Sequence, residues 1–215
     1  MLHLSLVAIG GCLVGPVNAA RLWVTLGAFF LAVGLGAHSL DELHGRPLKT
    51  SIPKWQLVGA SCLGVGGAVV LGIIGMVLIS AYLGVFILVG VLIAVGYNLE
   101  LFEGRLHTGL VLVLGWGAFP VLTSFYAQHA HLTVAAFIAA AFGALLTQIQ
   151  RQLSTPARDL RRRTKMVEGT IIRNDGTSEP ITAQSLLMPL ERALKTLCWS
   201  GVALALALGY LQYRS

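Results

Sequence analysis

Between Trp55 and Tyr97 the chain runs for 43 residues without a single Asp, Glu, Lys, Arg or His. As one helix rising 1.5 Å per residue this stretch would be about 65 Å long, twice the ~30 Å hydrocarbon core of a bilayer. A protein of 215 residues has no aqueous core large enough to hide it. The stretch is therefore expected to form two membrane spans, with the turn near Gly72–Gly75.

The rest of the composition agrees. Hydrophobic residues make up 56% of the chain and charged residues 11%, where a soluble domain has roughly 25% charged residues. This excludes a disordered segment, a secreted disulfide scaffold and an ordinary water-soluble enzyme. The net charge of +6 points to basic loops at a membrane surface rather than to nucleic acid. Cys12, Cys62 and Cys198 lie in apolar runs with no metal-ligand spacing. The 25 glycines fit helices that approach closely through small residues, as in Gly11xxxGly15.

Apolar runs place about seven spans, near 4–19, 22–38, 55–74, 77–97, 108–128, 132–150 and 194–213, in one transmembrane domain covering 1–215. The first is short. Val17-Asn18-Ala19 resembles a signal-peptide cleavage site, but the preceding residues contain no Lys or Arg, which favours a retained helix. Asn174-Asp175-Gly176 marks a turn in the one extended hydrophilic stretch, and the last helix starts amphipathic near Ile181. With seven spans, the segments 38–54, 98–107 and 150–193 face one side. Together with Lys195 they carry 13 of the 15 basic residues. The positive-inside rule makes that side cytoplasmic, so the expected location is the plasma membrane, multi-pass. All nine acidic residues fall on this side too. Asp41, Glu42, Glu100 and Glu103 hug span ends, where a carboxylate is costly.

Three clusters at these span ends are candidates for chemistry. The first is His38, Asp41, Glu42, His44 and Arg46, in which 38, 41 and 42 share a helix face if the helix continues. Imidazole and carboxylates suit a divalent metal, and Arg46 suits phosphate oxygens; a polar C-terminal cap ending at Gly45 and Pro47 explains the same residues equally well. The second is Tyr97, Asn98, Glu100, Glu103, Arg105 and His107, where Gly104 favours a turn over a helical stripe. The third is Arg158-Asp159, followed by a basic run to Lys165 suited to anionic lipid head groups. His129 and His131 read as ordinary interfacial residues. Carboxylates at one mouth of an apolar bundle suit Mg²⁺ bound together with substrate phosphates.

These residues resemble the UbiA superfamily of intramembrane prenyltransferases. Ala37-His38-Ser39-Leu40-Asp41 with Arg46-Pro47-Leu48 looks like a worn form of that family's first Asp-rich motif, NDxxDxxxD followed by RPL. Asp41 falls on the second acidic position, His38 stands where the first Asp would be, and Gly45 replaces the last. Tyr97-Asn98 through Arg105, with Gly109, Gly115, Pro120 and Tyr126, is similar to the family's segment between spans four and five. Arg158-Asp159 looks like the start of the second motif, with Arg163 where its second Asp belongs. The resemblance covers about residues 20–212, although family members usually have nine spans.

The resemblance implies a bundle in which Asp41, Asp159 and Tyr97 are catalytic. Asp41, Glu42, His38 and Asp159 would hold Mg²⁺, and Arg46, Asn98, Arg105 and Arg158 would bind substrate. The implied reaction transfers an isoprenoid from a prenyl diphosphate to a lipid or aromatic acceptor. Each missing carboxylate lowers the expected rate, because one lost stabilising group costs ~10²–10³. A homologue that binds prenyl lipid without turning it over is the first alternative. A small transporter or structural subunit, and a metalloenzyme using His38, Glu42, His44, Glu103 and His107, are the others.

Overall fold

Side-chain caps start three of the helices. Asn18, Thr108 and Thr133 accept hydrogen bonds from the backbone N–H three residues on, satisfying first-turn donors that a membrane cannot. Pro53 caps a fourth helix. The computed structural model describes residues 2–47 and 49–214. Among them are helices α1 (Leu2–Gly11), α2 (Ala19–Gly45), α3 (Lys54–Leu78), α4 (Leu83–Asn98), α5 (Gly109–His129), α6 (Val134–Arg162) and α7 (Ala183–Arg214). A hairpin of β1 (Thr170–Ile172) and β2 (Ser178–Pro180) joins α6 to α7. The Asn174-Asp175-Gly176 signal forms its turn: Gly176 takes φ +83 and Asp175 accepts from the Thr177 amide and hydroxyl.

The protein is all-α apart from this hairpin. Helices α2, α3, α5, α6 and α7 are long and apolar enough to cross a membrane, and α1 and α4 are shorter apolar helices of 10 and 16 residues. The expected turn at Gly72–Gly75 lies inside α3, which continues to Leu78. Residues 79–82 make the turn instead, where Ser80 Oγ and the Tyr126 hydroxyl are 3.0 Å apart. Glycine lowers helix propensity by about 1 kcal/mol, but Gly72 and Gly75 pack against Ile87 and Leu83 of α4, and tertiary contact overrides propensity.

Helix α1 is not the expected span of 4–19. It ends at Gly11 and, at about 15 Å, reaches only part of the way through a bilayer. Seven of its ten residues are buried, against α5 and α7 above all, so it is an inner element of the bundle. The Gly11xxxGly15 pair is therefore not one helix face. Close approach uses other glycines. A Cβ on Gly117 of α5 would stand 2.6 Å from the Gly143 carbonyl oxygen of α6, one on Gly64 of α3 would strike the Gly36 backbone of α2, and one on Gly10 would strike the Val121 backbone. Gly201 of α7 faces Leu2 and Ser5 of α1, and Gly209 faces Cys12.

Two unequal halves result. Around α1, residues Leu6, Ile9, Val121, Ala139 and Ala140 form a dense core. On the other side of α5, helices α2, α3 and α4 enclose open space. The connections at 46–53, 99–108 and 163–182 lie together at what is called here the basic end: His44 Nε2 lies 3.6 Å from the Glu100 carboxylate, and Arg162 donates to the Pro47 carbonyl at 2.8 Å. At the opposite end Arg21 and Asn18 bond to Gln128.

Because the atoms facing Gly117 and Gly64 are backbone, they cannot swing aside. Gly117→Leu and Gly64→Leu are each expected to destabilise the detergent-solubilised protein by at least the ~1–3 kcal/mol of ordinary overpacking. Gly59→Leu, which meets nothing within 4 Å, is expected to leave the melting temperature nearly unchanged. Thermal unfolding followed by circular dichroism reads the difference.

Candidate functional site

An apolar cavity of about 400 Å³ lies between α2, α3, α4 and α5. Its lining runs from Asn18 and Arg21 at the opposite end to Ala37, Ala94 and Trp116 towards the basic end. Ligand pockets typically occupy ~300–1,000 Å³. Phe29, Phe86 and Phe119 meet across it at 6.1 Å between ring centroids.

Two of the long helices beside the cavity change their winding there. Residues Phe30–Ala37 of α2 and Leu114–Ala118 of α5 are π-helical. Wider turns of this kind recur at functional sites, and these segments contribute Ala32, Val33, Ala37, Gly115 and Trp116 to the lining. The wide turn leaves the Trp116 carbonyl to accept a hydrogen bond from His3 Nδ1 at 3.0 Å. A buried polar group is thereby satisfied inside the bundle.

At the basic end Tyr97 occupies a crossroads. Its ring lies 4.8 Å from Trp116 and is stacked 4.4 Å from His107. Its carbonyl accepts from His107 Nδ1 at 3.0 Å. Arg151, Asp41, Arg158 and Glu100 are all near enough to act on the Tyr97 hydroxyl through charge. Asp41, Glu100, Arg151 and Arg158 thus lie within electrostatic range of Tyr97. Arg151 was not anticipated; its spacing of seven from Arg158, two helical turns on one face, was the available signal. The cavity and the π segments were not anticipated either. Glycine pairs within apolar helices, Gly34/Gly36 and Gly115/Gly117, accompany them.

Other expected site residues are engaged in holding the backbone. Helix α2 does continue through 38, 41 and 42, but His38 and Asp41 are exposed while Glu42 is buried at 3%. Its carboxylate accepts from the Thr50 amide at 2.8 Å and the Thr50 hydroxyl at 2.7 Å. Arg46, not Gly45, takes the left-handed conformation after α2, with φ +45. It donates to the carbonyls of Thr50 and Ile52. Leu48 of the resembling motif lies outside the described residues. Asn98 is buried and donates to the Ala94 carbonyl of its own helix at 2.6 Å. Arg105 pairs with Glu103 at 3.7 Å in the open. Asp159 is 3.3 Å from Arg163, the residue standing where the second motif would have its next Asp.

The loop after α4 turns tightly, as Gly104 led us to expect, and is strained. Glu100, Phe102 and Glu103 take φ of +50, +58 and +58, a region costing non-glycine residues of order 1–3 kcal/mol each. Glu100 is thereby set between His44 and His107, at 3.6 and 3.9 Å. Among the described residues, no three His, Cys, Asp or Glu side chains converge as metal ligands. The side chains at this end therefore do not build a cage for Mg²⁺ or for a transition metal by themselves.

Thr50→Val removes one of the donors to the buried Glu42 carboxylate. It is expected to lower stability by about 1.5–3 kcal/mol, the range for a hydrogen bond to a charged group, whereas Thr50→Ser, which keeps the hydroxyl, loses less than half of that in the same detergent melt. Compared with known proteins, the chain matches no protein-family profile, no curated protein and no solved structure.

Proposed function

We propose that this is a UbiA-like membrane protein that takes the isoprenoid tail of a prenyl diphosphate into the cavity and holds the diphosphate at the basic end. The observation that carries the reading is continuity: Trp116 belongs to the apolar lining and also touches Tyr97, which lies within electrostatic range of Asp41, Arg151 and Arg158. An amphiphile with an apolar tail and an anionic head matches that sequence of surfaces. The positive-inside rule assigns the basic end to the cytoplasm, with the plasma membrane as the site of action.

The same placement suits transfer to a lipid or aromatic acceptor. The allylic C–O bond breaks with its electron pair leaving on the diphosphate, whose growing charge Arg151 and Arg158 stabilise. The allylic cation lies against the faces of Tyr97 and Trp116, which attract cations. The acceptor's electrons form the new bond and the acceptor gives up a proton. Mg²⁺ arriving with the diphosphate would have the exposed Asp41 and, on release from Arg163, Asp159 as oxygen ligands. It would neutralise leaving-group charge.

Prenyl-lipid binding without transfer is the second reading. It is favoured by the engagement of Glu42 with Thr50 and of Asp159 with Arg163. One experiment separates the two. Purified protein in phosphatidylcholine nanodiscs is titrated with geranyl, farnesyl and geranylgeranyl diphosphate with and without Mg²⁺, and diphosphate release is measured alongside binding. Saturable binding is expected for at least one donor, weakened about tenfold or more by Arg158→Gln, as for loss of one charge-assisted hydrogen bond. Mg²⁺-dependent release abolished by Asp41→Ala and Asp159→Ala establishes the transferase. Binding without release establishes the second reading, and no saturable binding rejects both.

A further inference from the structure

The cavity has a second polar end, and its occupant is a separate question from the prenyl-lipid reading. Asn18, Arg21, Thr25 and Thr123 line it there. The two threonine hydroxyls donate to carbonyls of their own helices, Thr25 to Arg21 and Thr123 to Phe119. Asn18 Oδ1 caps α2 by accepting from the Arg21 amide, and the Asn18 amide donates to Gln128 Oε1. Arg21 is different. Its Nη1 donates to the Gln128 carbonyl at 2.9 Å, which fixes the guanidinium but neutralises no charge.

No Asp or Glu side chain serves that end of the bundle, since all nine acidic residues belong to the basic end. Arg21 is also the third residue of α2, beside the positive pole of the helix dipole, where a cation is unfavourable and an anion is favoured. The other basic residue at this end, Arg214, lies over the Tyr210 ring. A fixed guanidinium at the wall of an apolar cavity, with no Asp or Glu beside it among the described residues and at the wrong pole of its helix, calls for an external anion. At the end of a membrane helix the anion at hand is a lipid head group.

We propose that Arg21 binds the phosphate of an anionic phospholipid from the leaflet opposite the basic end, with one acyl chain entering the cavity between Val24, Phe29 and Phe119. The fork of the guanidinium suits two phosphate oxygens. The tail then shares the cavity with whatever enters from the basic end, so the two amphiphiles compete.

The test uses the full chain in nanodiscs of phosphatidylcholine with and without phosphatidylglycerol. Native mass spectrometry counts the phosphatidylglycerol retained. Wild type is expected to prefer phosphatidylglycerol over phosphatidylcholine, and Arg21→Gln to lose about tenfold or more of that preference. Arg21→Lys is expected to keep part of it and Arg214→Gln all of it. Equal preference in wild type and Arg21→Gln overturns the site.

A variant-independent arm uses phosphatidylglycerol with a photoreactive acyl chain on wild-type protein. Crosslinks are expected on residues 24–33 of α2 and 119–127 of α5. Labelling confined to the outward faces of α3 and α7 overturns the proposal even if Arg21→Gln fails to fold. Failure here leaves prenyl-diphosphate binding unaffected. Phosphatidylglycerol retention at Arg21 with no prenyl-diphosphate binding sinks the functional reading alone.

Discussion

The structure depends on backbone meeting backbone at glycine. Inside a bilayer, lipid tails are as apolar as leucine, so helices gain little from burying aliphatic side chains against one another. Close packing supplies the attraction instead. It needs positions where a Cβ would collide, as at Gly117 facing Gly143 and at Gly64 facing Gly36. These contacts pull α5 onto α6 and α3 onto α2. Gly10 against Val121 and Gly201 against Ser5 then seat the short helix α1 between α5 and α7.

With those glycines on one side of each helix, larger residues are left for the other. Helices α2, α4 and α5 meet across the hollow half through Phe29, Phe86 and Phe119, whose rings touch at a distance and leave a cavity between them. The π segments of α2 and α5 open onto this space. A dense half built on α1 and a hollow half built on α2–α4 are two consequences of the same spacing rule. The dense half fixes α5, and α5 presents Trp116 to both the cavity and Tyr97.

Charge is arranged around that frame. The loops at the basic end are fastened by their own side chains: Arg46 to Thr50 and Ile52, Glu42 to Thr50, and Arg162 to Pro47. Residues read from sequence as ligands thus spend their donors and acceptors on keeping strained loops in place, and what they leave facing Tyr97 is a smaller set.

Much of this was legible before any coordinates. Runs without charge identified the apolar helices because burying ionised groups in hydrocarbon is prohibitive. The alternation of helix direction put Asp41, Glu100 and Arg158 at one end of the bundle. That Glu42 turns inward to Thr50, that α1 is a half-length inner helix, that α3 runs past Gly72 and Gly75, and that a cavity joins Arg21 to Trp116 were decided by tertiary structure. Composition fixes which segments must leave water, since that cost is local and additive along the chain. Which faces then touch depends on the shape of residues far apart in sequence, and a glycine shows its role only when its partner is opposite.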